Sequence, residues 1–272
     1  MEELTINPEL SEQENHDGFM HWLHNNPNNF SFWFPFVENL SLYGVHIPKS
    51  VIVKVPDNII GAFFLEEEND RETILNWVKD SVKPVIDREF PDSPVFIKNG
   101  CFSNKFQFSR NCLVEERDIQ TLFNHIVSIQ YDSFCFDTCG NAKIVVREWI
   151  EPKDDLGCIY YGMPLRPELR VFYDFDKKEI LFTANYWDWN YCNEGISRNP
   201  DDAKTYKESY PKLLALLNEY SIRWMPIIDQ ALSRIDLKGQ WSVDFILEQD
   251  RPILIDMALA NQSAYWDPQK II

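Results

Sequence analysis

Residues 241–261 read WSVDFILEQDRPILIDMALAN, and the fold is read from this stretch. Two apolar runs, Trp241 to Leu247 and Pro252 to Met257, flank the polar turn Glu248-Gln249-Asp250-Arg251, which predicts a β-hairpin. Each run carries one aspartate, Asp244 and Asp256, among Val, Phe, Ile and Leu. An ionised carboxylate in such surroundings is costly unless it is paired or binds a cation. Two of them on adjacent strands can converge on one hard metal ion; the alternative is that both sit at strand ends, hydrogen-bonded or solvated. Mg²⁺ takes oxygen ligands and is usually held by one or two carboxylates plus substrate phosphates, so a phosphate-binding apparatus is to be sought elsewhere in the chain.

Working outward, the 272 residues are 44% hydrophobic and 14% aromatic, a composition that buries a core and excludes a disordered chain. The 43 acidic against 26 basic side chains give a formal charge of −17, which makes non-specific nucleic-acid binding unfavourable and requires any phosphate site to be built from a few placed Lys and Arg. No secretion signal and no membrane-length apolar run is present, so a cytoplasmic protein with no membrane partner is expected. The six cysteines lack CxxC spacing and read as free thiols. The histidines near the N-terminus read as surface or capping groups, not as a zinc site.

Upstream, a short helix is expected around Phe19 to His24, and the aromatic run Phe30 to Phe36, FSFWFPF, as a buried core segment or an exposed patch. Ile47 to Val55 predicts a strand and Thr73 to Phe90 a helix. Val95 to Lys98, VFIK, is a short strand ending in a lysine, followed by a loop with Gly100, Ser103 and Lys105 that is able to hold phosphate oxygens but is not a P-loop. Glu115 to Gln130 predicts an amphipathic helix, Ser133 to Phe136 a strand, then a turn at 138–141 and a strand from Lys143 to Ile150, KIVVREWI. In that strand Arg147 and Glu148 read as an exposed charged pair or as the rim of a ring-binding linker. Pro167 to Phe175 and Glu179 to Tyr186 predict a second hairpin, with Glu168 and Arg170 on one face by the period of two. Arg170 is either a surface ion-pair partner or a phosphate fork. Residues 198–202 read as loop, and Thr205 to Ala231 as two or three short helices broken at Pro211 and Pro226.

Taken in order, VFIK with its loop, KIVVREWIEP, PELRVFYDF and WSVDFILEQDRPILIDM resemble the ATP-grasp superfamily over roughly 95–267. More narrowly, the series is similar to the cell-division-cycle family of ATP-grasp proteins that assist assembly of translation initiation factor two. The resemblance implies an α+β fold with two lobes of antiparallel sheet enclosing a nucleotide: an N-terminal α/β region over 1–91, a first lobe over 92–150 and a second lobe with the metal-binding hairpin over 151–272. It implies ATP and Mg²⁺ as ligands, with Lys98 on the phosphates, Ser103 and Lys105 in the covering loop, and Glu148, Trp149 and Ile150 around the adenine. Arg170 would approach the phosphates and act with Lys98 in catalysis, and Asp244 and Asp256 would hold the metal. Where the family has Asn two residues after the second aspartate this chain has Ala258, so a metal ligand is missing unless Asn261 or Gln262 replaces it.

Such a site activates a carboxylate for ligation to an amine without a protein nucleophile, so a ligase acting on an acceptor substrate is one expectation. The second is a nucleotide-binding assembly chaperone with a protein client. A third, nucleotidyl transfer through Lys98, faintly follows from Lys98-Asn99-Gly100. Trp187, Trp189 and Tyr191 are candidates for the lining of a second pocket, with burial in the core as the alternative.

Overall fold

The computed structural model describes residues 9–63, 67–136, 138 and 141–271. Chain order is α1 (Glu12–Asn25), α2 (Phe30–Val37), β1 (Ser50–Lys54), α3 (Asp57–Ala62), α4 (Asp70–Trp77), α5 (Lys83–Glu89), β2 (Val95–Asn99), α6 (Phe108–Asn111), β3 (Leu113–Val114), α7 (Ile119–Cys135) and β4 (Lys143–Glu148). Then follow β5 (Cys158–Ile159), β6 (Met163–Pro164), β7 (Glu168–Asp174), β8 (Glu179–Asn185), α8 (Trp189–Ile196), α9 (Pro200–Leu232), β9 (Gln240–Leu247) and β10 (Pro252–Leu259). The strands form two four-stranded sheets, ordered β1-β4-β2-β3 and β10-β9-β7-β8, with the short pair β5-β6 apart. The pairings within both sheets are antiparallel, which makes this an α+β architecture.

Alternation fixes the faces. In the first sheet Val95, Ile97, Ile144 and Val146 point into a core with α3, α4, α5 and α7, leaving Phe96, Lys98, Val145 and Arg147 on the opposite face. In the second, Leu169, Val171, Tyr173, Trp241, Val243 and Phe245 pack under Leu217, Tyr220, Ile228 and Leu232 of α9. Glu168, Arg170, Ser242, Asp244 and Ile246 therefore share the other face.

Several expected elements change. FSFWFPF is a helix: Asn29 caps it by accepting the Ser31 amide, Phe30, Trp33 and Val37 are buried at helical spacing, and Phe32 and Phe36 stay partly exposed. Helix α1 starts earlier than expected because Ser11 and Glu14 form a reciprocal capping box. The helix over 73–90 runs as α4 and α5 joined by a π-turn, Val78–Val82. Pro84 sits in the first turn of α5, and widening the preceding turn relieves its ring and its missing donor. Ser133 to Phe136 is not a strand; α7 continues to Cys135, and the buried Gln130 and Ser133 exchange hydrogen bonds with Asn141. Residues 200–202 belong to α9.

Nor do Pro211 and Pro226 break the last helix, since α9 is continuous over 33 residues. An interior proline costs a helix roughly 3 kcal/mol, and the buried row Tyr206, Leu213, Leu217, Tyr220, Ile228 and Leu232 outweighs that. Cys112, Cys135, Cys158 and Cys192 are free thiols, whereas Cys139 and Gly140 of the expected turn at 138–141 lie outside the described residues. Among the described residues no helix is long and apolar enough to cross a membrane.

Candidate functional site

A β-bulge positions the centre of the site. Strand β10 pairs with β9 in simple register from Pro252 to Leu254; Ile255 is then skipped and Asp256 lies opposite Asp244. Without the extra residue Asp256 would face the α9 core, because an insertion of one inverts every later side chain. The inversion is visible in the core residues of β10, Leu254 and Met257, which are three apart instead of two. Arg170 of β7 is registered on the other side of Asp244, so Arg170, Asp244 and Asp256 form one row across three strands.

The bulge leaves carbonyl oxygens for a partner outside the ladder. Arg147, only 5% exposed, supplies it: its Nη1 donates to the Ile255 carbonyl, Nη2 reaches the Leu254 carbonyl at 3.4 Å, and Nε donates to Ser50 Oγ at 3.1 Å. Burial draws its pKa down to about 10, while Asp256 and Glu148 pull the other way. The sequence leaves Arg147 either in an exposed charged pair or at the rim of a ring-binding linker; its burial follows from β4 lying inside the first sheet with its outer face turned to the second.

Between the two faces lies a cleft of about 670 Å³, counted out to its open mouth. Of the expected site residues, Lys98, Ser103, Lys105, Glu148, Trp149, Ile150 and Asp256 line it together, joined by Phe96, Phe108, Met163, Ile246, Arg166 and Glu168. Arg170 and Asp244 stand just behind this lining, while Asn261 is exposed in the single turn Ala260–Gln262 beyond β10. The wall beside the linker is apolar and aromatic: Trp149 packs on Phe108 at 5.5 Å between ring centroids, and the Arg166 guanidinium lies 4.8 Å from the Trp149 ring while donating to the Ile150 carbonyl. The other end is charged.

There Lys98, 2% exposed, donates to Asp256 Oδ2 at 2.9 Å, and Arg170 grips Asp244 as a fork, with Nε and Nη2 each 2.7 Å from a carboxylate oxygen. The third Arg170 nitrogen donates to the Ala264 carbonyl at 3.0 Å. Burial opposes ionisation of Asp256, but Lys98, Lys105 and Arg147 overcome it and hold its pKa below the ordinary value. Lys105 lies 3.9 Å from Glu168 and 3.3 Å from the Tyr186 hydroxyl. Its burial favours the neutral amine, yet Tyr186, Glu168 and Asp244 around it keep it charged, above its ordinary pKa. Glu168 is pushed upward because burial outweighs Lys105 and Arg166, and its Oε2 has no hydrogen-bond partner. At the linker, Glu148 Oε1 accepts from His46 Nε2 at 2.7 Å, and this contact holds its carboxyl below the usual range despite partial burial. The cleft thus gathers Lys98, Lys105, Arg147, Arg166 and Arg170 against Asp244, Asp256, Glu148 and Glu168. It is locally cationic in a chain of net charge −17.

The loop after β2 is closed on itself. Asn99 Oδ1 accepts the amides of Cys101 at 3.0 Å and Phe102 at 2.7 Å, so those donors are spent, and the Ser103 and Lys105 side chains are what the loop offers to the cleft. Gly100 is required here, since a Cβ would lie 2.5 Å from the Asn29 side chain. The amide of Phe30 donates to the Gly100 carbonyl at 2.8 Å.

A divalent ion fits this donor set poorly. Both oxygens of Asp244 are in the Arg170 fork, and Asp256 accepts from Lys98 on one oxygen and from the Met257 amide at 3.1 Å on the other. Ala258, opposite Ser242, brings no oxygen from its side chain, and among the described residues no group of three or more His, Cys, Asp or Glu gathers as a metal would require.

Two lobes of antiparallel sheet, closed over a cleft with an aromatic linker on one side and buried cations on the other, define the ATP-grasp fold. Among solved structures, C-terminally truncated Cdc123 from Schizosaccharomyces pombe shares this fold with a TM-score of 0.51 at 12% identity, over 96% of this chain and 91% of that one. A second Cdc123 structure from the same yeast matches with a TM-score of 0.50 at 13% identity, over 91% and 87%. A D-alanine–D-alanine ligase from Bacillus anthracis, solved in complex with ATP, matches with a TM-score of 0.37 at 9% identity, over 84% of this chain and 52% of that one. No family profile matches the chain, and no curated protein does. Identities at this level speak for the fold.

Proposed function

We propose that this chain binds ATP in the cleft between its sheets and that its nucleotide-bound form serves as an assembly factor for a protein client. One observation carries the nucleotide reading: the cleft is apolar and aromatic at the linker end and cationic at the other, which is the polarity of a base joined to a polyphosphate. The ring would lie against Trp149 and Ile150. Lys98, Lys105 and Arg170 would meet the phosphates, with Ser103 covering them. Phosphate oxygens would take over the ammonium and guanidinium groups that Asp256, Glu168 and Asp244 hold in the free protein.

The assembly reading is supported by likeness to Cdc123 across nearly the whole of both chains, and by the resemblance of the four sequence segments to that family. Carboxylate activation for ligation is the competing outcome, and the nucleotidyltransferase reading gains no support from a Lys98 that is ion-paired to Asp256. A Mg²⁺ ion shared by Asp244 and Asp256, with Asn261 as the third ligand, is what the sequence pattern implies; it would first have to displace Lys98 and Arg170.

Calorimetric titration with the β,γ-imido analogue of ATP, with GTP as control, tests the nucleotide reading, and adenine-selective binding is expected. Phosphate release measured with and without added carboxylate and amine acceptors tests the rest. Binding without acceptor-dependent turnover agrees with an assembly factor, whereas turnover that needs an acceptor replaces that reading with a ligase.

A further inference from the structure

We infer that nucleotide binding by this chain does not require a divalent cation, because side chains of the protein already occupy the metal's place in the charge balance. The inference rests on the nucleotide reading above. In a carboxylate-held metal site the acidic side chains are left with unspent oxygens, and the ion supplies the countercharge for both carboxylate and phosphate. Here the acids are already balanced. The fork of Arg170 uses both oxygens of Asp244 at 2.7 Å, and Lys98, 2.9 Å from Asp256, is almost wholly buried. A dication placed between the two carboxylates would sit against both cations, and the position from which a third ligand would come is Ala258.

An incoming triphosphate relieves this arrangement in another way. It presents anionic oxygens directly to Lys98, with Lys105 as a second donor whose own partners, Glu168 at 3.9 Å and Tyr186 at 3.3 Å, are loosely held, and with Arg170 behind them on Asp244. The carboxylates then serve as internal countercharges that phosphate displaces from the two cations, instead of ligating an ion.

Titration of the full chain with the β,γ-imido analogue of ATP, in excess EDTA and in excess Mg²⁺, decides the matter. Dissociation constants within about threefold of each other are expected, and Asp256→Asn, which loosens Lys98, should tighten binding in EDTA by about threefold or more. Binding that strengthens tenfold or more with Mg²⁺ overturns the inference and leaves the nucleotide reading intact; so does an Asp256→Asn variant that weakens binding only when Mg²⁺ is present. If the variant does not fold, the wild-type pair of titrations still decides. No binding in either buffer overturns the nucleotide reading and this inference with it.

Discussion

Replacing Arg147 by Met tests whether the bulge in β10 depends on a side chain from the other sheet. The substitution keeps most of the volume and removes the donors to Ile255, Leu254 and Ser50. An orphaned buried carbonyl costs about 1–3 kcal/mol; the Ile255 oxygen bears that in full, while the Leu254 contact at 3.4 Å is long and adds little. Against this, removing a buried guanidinium returns its desolvation cost, which burial makes appreciable here. The orphan is expected to outweigh the return, with a net loss of about 2 kcal/mol. In a chain of this size that lowers the melting temperature by about 4–8 °C. Urea unfolding with Arg147→Lys as control should place the lysine variant between wild type and Met, since the charge survives and the fork does not. Unchanged or increased stability of Arg147→Met would refute the assignment of Arg147 as the partner of the bulge.

Lys98→Ala should lower affinity for the ATP analogue by at least tenfold in calorimetry, with far-UV dichroism unchanged; equal affinity would remove Lys98 from the site. The raised pKa of Glu168 means that its contribution is fully present below about pH 4, its unfolded range, and is lost as pH rises through the higher folded value. The stability advantage of Glu168→Gln over wild type should therefore grow from pH 4 to pH 8 in melting experiments, and an advantage independent of pH would contradict the assignment. For Asp256 the sign is reversed: its depressed pKa contributes stability above about pH 4 that is lost as pH falls through the folded value, and Lys98→Ala should flatten that acid limb. Pro211→Ala, at an exposed position within α9, should raise stability by about 1 kcal/mol or more by restoring one backbone hydrogen bond, whereas a loss would mean that the proline shapes the docking of Leu213 and Leu217.

What was legible in the sequence was whatever strict periodicity carries. VFIK, the two hairpins and the shared face of Glu168 and Arg170 follow from a period of two, and the core stripe of α7 from a period of 3.6. The convergence of Asp244 and Asp256 was expected from adjacent strands, but its cause was not legible, because alternation does not mark where an extra residue such as Ile255 enters. The burial of Arg147 was not legible because its two carbonyl acceptors, on Leu254 and Ile255, lie in the other sheet and more than a hundred residues away. Proline misled in α9, where tertiary burial overrides local propensity. The self-closed loop at Asn99 was hidden because an asparagine side chain competes with ligands for the backbone amides only when the loop geometry is known.

The edge of β10 is covered by the early part of the chain. His46 forms a parallel bridge with Ile253, its amide donating to the Pro252 carbonyl at 2.9 Å and its carbonyl accepting from the Leu254 amide at 3.0 Å; further along, Asn28 accepts the Leu259 amide at 2.7 Å. Asn28 and His46 therefore find these partners only after the β9–β10 hairpin, far later in the chain, has been made. Loop closure over such a separation is slow, and in the interval the second sheet carries an unpaired edge beside a hydrophobic face. The segment carrying Asn28 and His46 is thus expected to dock late, and the vulnerable species is one whose sheets have formed and whose β10 edge is still open.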